Sequence, residues 1–164
     1  MCRKTVLAGA TTILALLEAP VVAQTATTQF DVQITITEEC QINSADDLNF
    51  GSTGVLDANI DGTNAIRVQC TNGTTYNIGL NAGTGTGATV ATRLMTGAGA
   101  ATVQYSLYRN AARTQVWGET IGTDTVSSTG TGAEQTFTVY GRVPTQTTPA
   151  PNTYNDIVTA TVTY

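Results

Sequence analysis

Strict alternation of apolar and polar residues is the clearest pattern in this sequence, and it runs through residues 29–37. In an extended chain, one face of this segment would carry aspartate, glutamine and threonine side chains. The other face would carry only the apolar side chains of Phe30, Val32, Ile34 and Ile36. The segment is therefore predicted to be a β-strand that buries one face.

The chain after Gln24 carries further β-forming patterns and almost no helical periodicity. Short runs rich in Val, Ile, Thr and Tyr are separated by Gly, Asn, Asp and Pro, which is typical of an all-β sandwich or barrel. Strands are predicted near residues 30–37, 40–42, 48–50, 65–70, 75–80, 102–108, 135–142 and 154–164. Because no linker-like stretch divides this region, a single domain is expected.

The last predicted strand also alternates, with Val158, Ala160, Val162 and Tyr164 on one face. Backbone groups in a strand need hydrogen-bond partners, so this strand requires a neighbour. Residues 30–37 of the same chain could fold back to supply it, or the same segment of another subunit could do so. The pattern leaves both possibilities open.

The first 23 residues have the features of a secretory signal peptide. Arg3 and Lys4 give a positive start, residues 6–17 contain a short apolar run, and small residues precede a cleavage point after Ala23. No later segment approaches the roughly 20 apolar residues that a membrane-spanning helix needs. The mature chain is predicted to begin at Gln24 and to be exported.

The cysteines agree with export. Cys2 would leave with the signal peptide, so Cys40 and Cys70 remain. An even pair in an exported protein favours a disulfide. Half of a metal site or two free thiols are the alternatives, but there is neither a histidine nor a Cys-x-x-Cys motif to support them.

Charge and composition exclude several classes of function. Without residues 1–23, five arginines and eleven carboxylates remain, a net charge of about −6, with no lysine or histidine. An acidic chain with few cations is a poor candidate for binding nucleic acid or anionic membranes. The absence of histidine also removes Ser-His-Asp catalysis and most metal sites. No enzymatic activity, metal or cofactor is expected.

Aromatic and arginine residues between positions 105 and 117 are candidates for ligand binding. Trp117 follows Tyr105 and Tyr108, and such a cluster can bind sugars, but a single tryptophan in a β-sandwich is more often part of the core. Arg109 and Arg113 could hold an anion. We expect them instead to close a turn or to pair with carboxylates.

Two other patterns suggest ligands only weakly. Asp46, Asp47, Asp57 and Asp61 offer oxygen atoms for calcium, but their spacing does not match an EF-hand loop. The glycine-rich residues 83–87 lack the Gly-Lys-Ser/Thr ending of a phosphate-binding loop. Both patterns are predicted to be solvated loops.

Five features, in order along the chain, resemble the spore coat protein U domain family, which includes pilin subunits of archaic, Csu-type chaperone–usher pili. They are the alternating segment before Cys40, the run Leu48-Asn49-Phe50-Gly51, the second cysteine Cys70, residues 105–114 and residues 154–164. The pattern Tyr-x-Leu-Tyr-Arg-x-Ala-x-Arg within residues 105–114 and the C-terminal strand are the most specific. The resemblance covers nearly the whole mature chain.

This resemblance implies an incomplete immunoglobulin-like β-sandwich that is completed by a donor strand from a neighbouring subunit. Residues 1–23 would then be the signal peptide, residues 24–38 the donor-strand extension and residues 39–164 the pilin domain. The donor side chains would be Phe30, Val32, Ile34 and Ile36. The acceptor groove and chaperone anchor would be formed by Val158, Ala160, Val162 and Tyr164.

The resemblance further implies a structural role in an extracellular adhesive pilus. Partners would be identical subunits in a head-to-tail homopolymer, a periplasmic chaperone and an outer-membrane usher. Neither nucleic-acid binding nor membrane insertion is implied. The single predicted domain favours a repeating shaft subunit over a tip adhesin. A self-complemented binding module and a spore or cell coat protein are the alternatives.

Overall fold

The structure is a computed structural model that describes residues 21–164. The chain divides into two compact units, Met1–Thr35 and Ile36–Tyr164. Residues 1–20, most of the predicted signal peptide, lie outside the described residues. Residues 21–39 form neither strand nor helix. The predicted strand at 30–37 is therefore not formed in the isolated chain.

The second unit is all-β and contains eight strands. They are β1 (Cys40–Ala45), β2 (Ile60–Cys70), β3 (Thr75–Leu80), β4 (Arg93–Thr96), β5 (Thr102–Tyr108), β6 (Val126–Thr129), β7 (Glu134–Val143) and β8 (Ala160–Thr163), with a 3-10 turn at Ala98–Ala100. One sheet has the order β1-β2-β7-β5-β4 and the other the order β6-β3-β8. Every pairing is antiparallel. The predicted all-β, immunoglobulin-like sandwich is confirmed.

Three details of the strand prediction were wrong. Residues 48–50 lie in a long connection without a strand, although Leu48 and Phe50 pack against the core. Regular pairing in the last strand is confined to Ala160–Thr163. Strands β4 and β6 were missed because they are short, with sequences Arg-Leu-Met-Thr and Val-Ser-Ser-Thr that carry little β-pattern.

Most of the core is built from alternate residues that both sheets direct inward, and Leu56 and Trp117 join it from connections. Its buried apolar side chains are Leu56, Ile66, Val68, Cys70, Tyr76, Ile78, Leu80, Val103, Tyr105, Leu107, Trp117, Val139 and Val143. Trp117 is 1% exposed, and its indole N–H donates to the Ile78 carbonyl at 2.8 Å. The prediction that Trp117 belongs to the core is confirmed, which removes it from the candidate sugar-binding residues.

A disulfide joins Cys40 to Cys70, as predicted. The two cysteines are directly opposite one another in the β1–β2 ladder, so the bond links the edge strand β1 to the end of its neighbour β2. They are 30 residues apart in sequence. Closing a loop of that length stabilises a fold by about 3–4 kcal/mol in the chain-entropy model.

A buried arginine that sequence reasoning missed organises one end of the sandwich. Arg93 has no exposed surface, and its guanidinium donates to four backbone carbonyls. The acceptors are Leu80 at 2.9 Å and Asn81, Val90 and Trp117 at 2.8 Å each. Burial lowers the pKa of this guanidinium. The side chain thus supplies hydrogen-bond donors to four backbone carbonyls at this end of the sandwich.

Candidate strand-binding groove

An open groove of about 1040 Å³ in the second unit leads from the surface to the core. One wall is formed by residues 45–54, and the other by residues 148–158 with Ala160. Core side chains form the floor, among them Ile66, Leu80, Val103, Leu107 and Val139. A closed sandwich would cover these side chains with a further strand, so the groove marks a place where this one is incomplete.

The sheet edges beside the groove are unpaired. Strand β8 ends the three-stranded sheet and pairs only with β3, while β1 ends the five-stranded sheet and pairs only with β2. Among residues 36–164, no strand satisfies the outer edge of β8. An extended segment can add to such an edge through main-chain hydrogen bonds and place alternate side chains in the groove.

The predicted acceptor residues differ in their relation to the groove. Val158 and Ala160 line it, and Val162 packs against the core while staying half-buried. Tyr164 is 59% exposed and does not line the groove. Two of the four residues therefore line the groove, and a third packs on the inward side of β8.

The predicted donor side chains are exposed. Phe30, Val32 and Ile34 in the first unit have 83%, 86% and 81% of their surface exposed, and Ile36 at the start of the second unit has 70%. Scattered exposed apolar residues are common in proteins, whereas an uninterrupted alternating series is a candidate interaction segment.

A hydrogen-bonded carboxylate that sequence reasoning missed fixes the wall beside β8. Asp156 accepts hydrogen bonds from the Tyr105 hydroxyl at 2.6 Å, the Thr84 N–H at 2.7 Å and the Thr84 hydroxyl at 2.8 Å. The sequence could have predicted its burial, because Asp156 lies two and four residues before Val158 and Ala160 and so shares their inward-facing side in an extended chain. A polar residue at such a position needs internal partners.

The same hydrogen bonds determine how this wall responds to acid. Partial burial opposes ionisation of Asp156, but the hydrogen bonds from Tyr105 and Thr84 outweigh it and hold the pKa of this carboxyl below its ordinary value of 3.8. Burial and the hydrogen bond to Asp156 raise the pKa of the Tyr105 hydroxyl. Ionised Asp156 therefore stabilises the folded wall above its ordinary pKa.

We expect Asp156→Asn to weaken the dependence of stability on pH under acid conditions. In the wild type, ionised Asp156 adds to the free energy of unfolding at pH values above its pKa in the unfolded chain. This contribution is lost as the pH falls through the lower pKa that Asp156 has in the folded chain. Urea unfolding of both proteins, measured by Trp117 fluorescence between about pH 5 and pH 2, checks this. Asp57→Asn, at an exposed loop carboxylate, is the control, and equal slopes for the two variants would contradict the prediction.

The other candidate ligand residues have structural partners. Arg109 donates to the Thr125 carbonyl at 2.8 Å, and Arg113 donates to the Gly141 carbonyl at 3.1 Å and pairs with Asp61 at 3.2 Å. Arg109 therefore holds a loop and Arg113 also pairs with a carboxylate, as expected.

The aspartates give no sign of a cation site. Asp61 accepts a bidentate pair of hydrogen bonds from Arg142 at 2.7 and 2.8 Å, and Asp46 pairs with Arg67 at 2.8 Å. Within residues 21–164, no group of three or more His, Cys, Asp or Glu side chains is placed to hold a metal ion. The same residues include no helix long and apolar enough to cross a membrane.

Comparison with known proteins connects this chain to a family and to a fold. The family model described as Spore Coat Protein U domain matches residues 26–161. Protein U of Myxococcus xanthus is 34% identical over 176 residues, which cover 98% of each chain.

A solved structure resembles this fold at lower sequence identity. It is the CsuC-CsuE chaperone–tip adhesion subunit pre-assembly complex from the archaic chaperone–usher Csu pili of Acinetobacter baumannii. The match has a TM-score of 0.59 and 22% identity, and covers 79% of this chain. This chain spans 41% of the matched chain, and at this identity the likeness establishes the fold.

Proposed function

The chain belongs to the Spore Coat Protein U domain family, and from this premise we propose that it is a structural subunit of an extracellular pilus. Each subunit would insert residues 30–36 into the groove of the next. The observation that carries this proposal is an open, core-deep groove beside the unpaired edge of β8 in a chain that also exposes an alternating apolar segment.

The chemistry of the two surfaces is complementary. In extended form, residues 30–36 span about 20 Å and direct four apolar side chains to one side. Burying each side chain is worth roughly 1.5–3 kcal/mol, so the strand would contribute on the order of 6–12 kcal/mol before ordering costs. Such a head-to-tail contact does not close on itself, and its repetition produces a filament.

The same proposal includes assembly partners. An unpaired edge beside an apolar groove is an aggregation hazard, so the subunit would need a chaperone until its neighbour arrives. The solved complex with this fold pairs a chaperone with a pilus subunit, which supports a periplasmic chaperone here. An outer-membrane usher and export directed by residues 1–23 complete the route. Residues 24–38 would be the extension and residues 39–164 the pilin domain.

We favour strand exchange over a self-complemented binding module. A module of that kind would need residues 30–37 to form a strand of its own fold, whereas residues 21–39 form no strand. A cell coat built by the same exchange would use the same surfaces. The likeness to a pilus assembly complex is the reason that we prefer the filament.

Heat-dependent electrophoresis of native surface material tests the proposal. Material sheared from cells and probed with an antibody to this chain is expected to give, in unheated detergent, a ladder at multiples of the subunit mass. Boiling without reductant should collapse it to the monomer, since the Cys40–Cys70 bond lies within one chain and strand exchange is non-covalent. A monomer band alone in unheated, folded material would refute the proposed polymer.

A further inference from the structure

The run Leu48-Asn49-Phe50-Gly51 lies in the groove wall formed by residues 45–54. It forms no strand, yet Leu48 and Phe50 are partly buried against the core and both line the groove. A loop that lines a binding groove needs something to fix its position. The surrounding residues show how this loop is held.

Two glycines form a hollow that receives the loop. Gly62 and Gly141 lie directly opposite each other in the β2–β7 ladder. A methyl group added at Gly141 would lie 2.5 Å from Leu48 Cδ2 and 2.8 Å from Phe50 Cζ, and one added at Gly62 would lie 3.1 Å from Leu48 Cδ1. The missing side chains of the sheet are therefore replaced by those of Leu48 and Phe50.

The polar half of the run shapes the turn. The Asn49 side-chain carbonyl accepts a hydrogen bond from the Gly51 N–H at 2.7 Å. Gly51 has a φ of 78°, a conformation that favours glycine. The turn orients the chain so that Leu48 and Phe50, two residues apart, both reach the hollow.

Tyr105 connects this wall with the opposite one. The ring of Phe50 packs edge-on against that of Tyr105, with a centroid distance of 6.3 Å and an interplanar angle of 63°. The Tyr105 hydroxyl donates to Asp156 in the other wall. Each wall is thus fixed to the same buried side chain, and their separation depends on these contacts.

We propose that Leu48 and Phe50, seated over Gly62 and Gly141, are a preformed strand-contacting wall that sets the width of the groove for the entering segment of a second copy of this chain. This inference rests on the proposed function. The occupant it selects is an extended segment with branched aliphatic side chains on one face, the chemistry of residues 32–36. A side chain that fills the hollow should displace Leu48 and Phe50 and weaken binding of the inserted segment.

Gly141→Ala tests the wall directly. Because the added methyl group overpacks the hollow, the temperature at which detergent-resistant multimers dissociate is expected to fall by roughly 5–10 °C. Thr138→Val, on the exposed face of the same strand and outside the groove, is the matched control and should not change this temperature. Trp117 fluorescence in the same samples reports the fold separately, because Trp117 does not line the groove.

A second substitution gives the decisive comparison. Leu48→Val removes the Cδ atoms that the new methyl group would meet, so Leu48→Val with Gly141→Ala should regain part of the lost dissociation temperature. If Gly141→Ala does not fold, Gly62→Ala, with its smaller overlap, replaces it. The proposed role of the wall would be refuted if Gly141→Ala or Gly62→Ala multimers dissociated at the wild-type temperature. It would also be refuted if the folded double variant regained none of the lost dissociation temperature. Absence of multimers from the wild type would instead refute the proposed strand exchange.

Discussion

Ile34→Asp is expected to abolish the multimers while the subunit remains folded. Ile34 is 81% exposed in the chain, so the substitution removes little from the fold itself. In a neighbour's groove, the substitution would remove the free energy gained by burying isoleucine, about 1.5–3 kcal/mol. It would also add the larger cost of desolvating a carboxylate. Together these effects predict at least a 1,000-fold loss of affinity, which unheated electrophoresis would register as a monomer band.

Thr35→Asp is the matched control for this experiment. It adds the same charge one position later, on the polar face of the segment, which would point away from the groove in an extended strand. Multimers of Thr35→Asp should persist with a modest loss of heat stability. If both variants assembled equally well, or if both failed equally, the alternation of the segment would have no role and strand donation would be refuted.

Arg93→Met is expected to give the largest loss of subunit stability. Methionine fills a similar apolar volume, but it leaves the carbonyls of Leu80, Asn81, Val90 and Trp117 without the donors they have in the wild type. Each buried acceptor without a partner costs about 1–3 kcal/mol, and relief from burying the cation offsets only part of this. We expect a loss of at least ~3 kcal/mol in the free energy of unfolding, measured with urea and Trp117 fluorescence.

Arg67→Met is the control for the loss of a guanidinium. Arg67 lies on the outer face of β2 and pairs with Asp46 and Glu134, and its side chain is 35% exposed. Solvent-exposed ion pairs contribute little to stability, so the unfolding midpoint of this variant should stay close to that of the wild type. Equal midpoints for Arg93→Met and Arg67→Met would show that the buried hydrogen bonds are not needed.

The hydrophobic pattern determined the class of fold and much of the core. Alternation located most of the strands because a side chain in a strand points inward or outward according to its parity, and this is a local property. The cysteine count and the export features predicted the Cys40–Cys70 bond, and the base rate for tryptophan in sandwiches predicted a buried Trp117. These features need no knowledge of which strands are neighbours.

Only the tertiary structure could decide which residues meet across the sandwich. The hollow at Gly62 and Gly141 exists because β2 and β7 pair in one register, almost 80 residues apart in sequence. The partners of Arg93 and the link from Tyr105 to Asp156 likewise join distant segments. Such contacts follow from long-range strand pairing, which local patterns do not encode. The sequence therefore indicated a strand made to be buried, and the fold decided where the groove lies and which side chains build its walls.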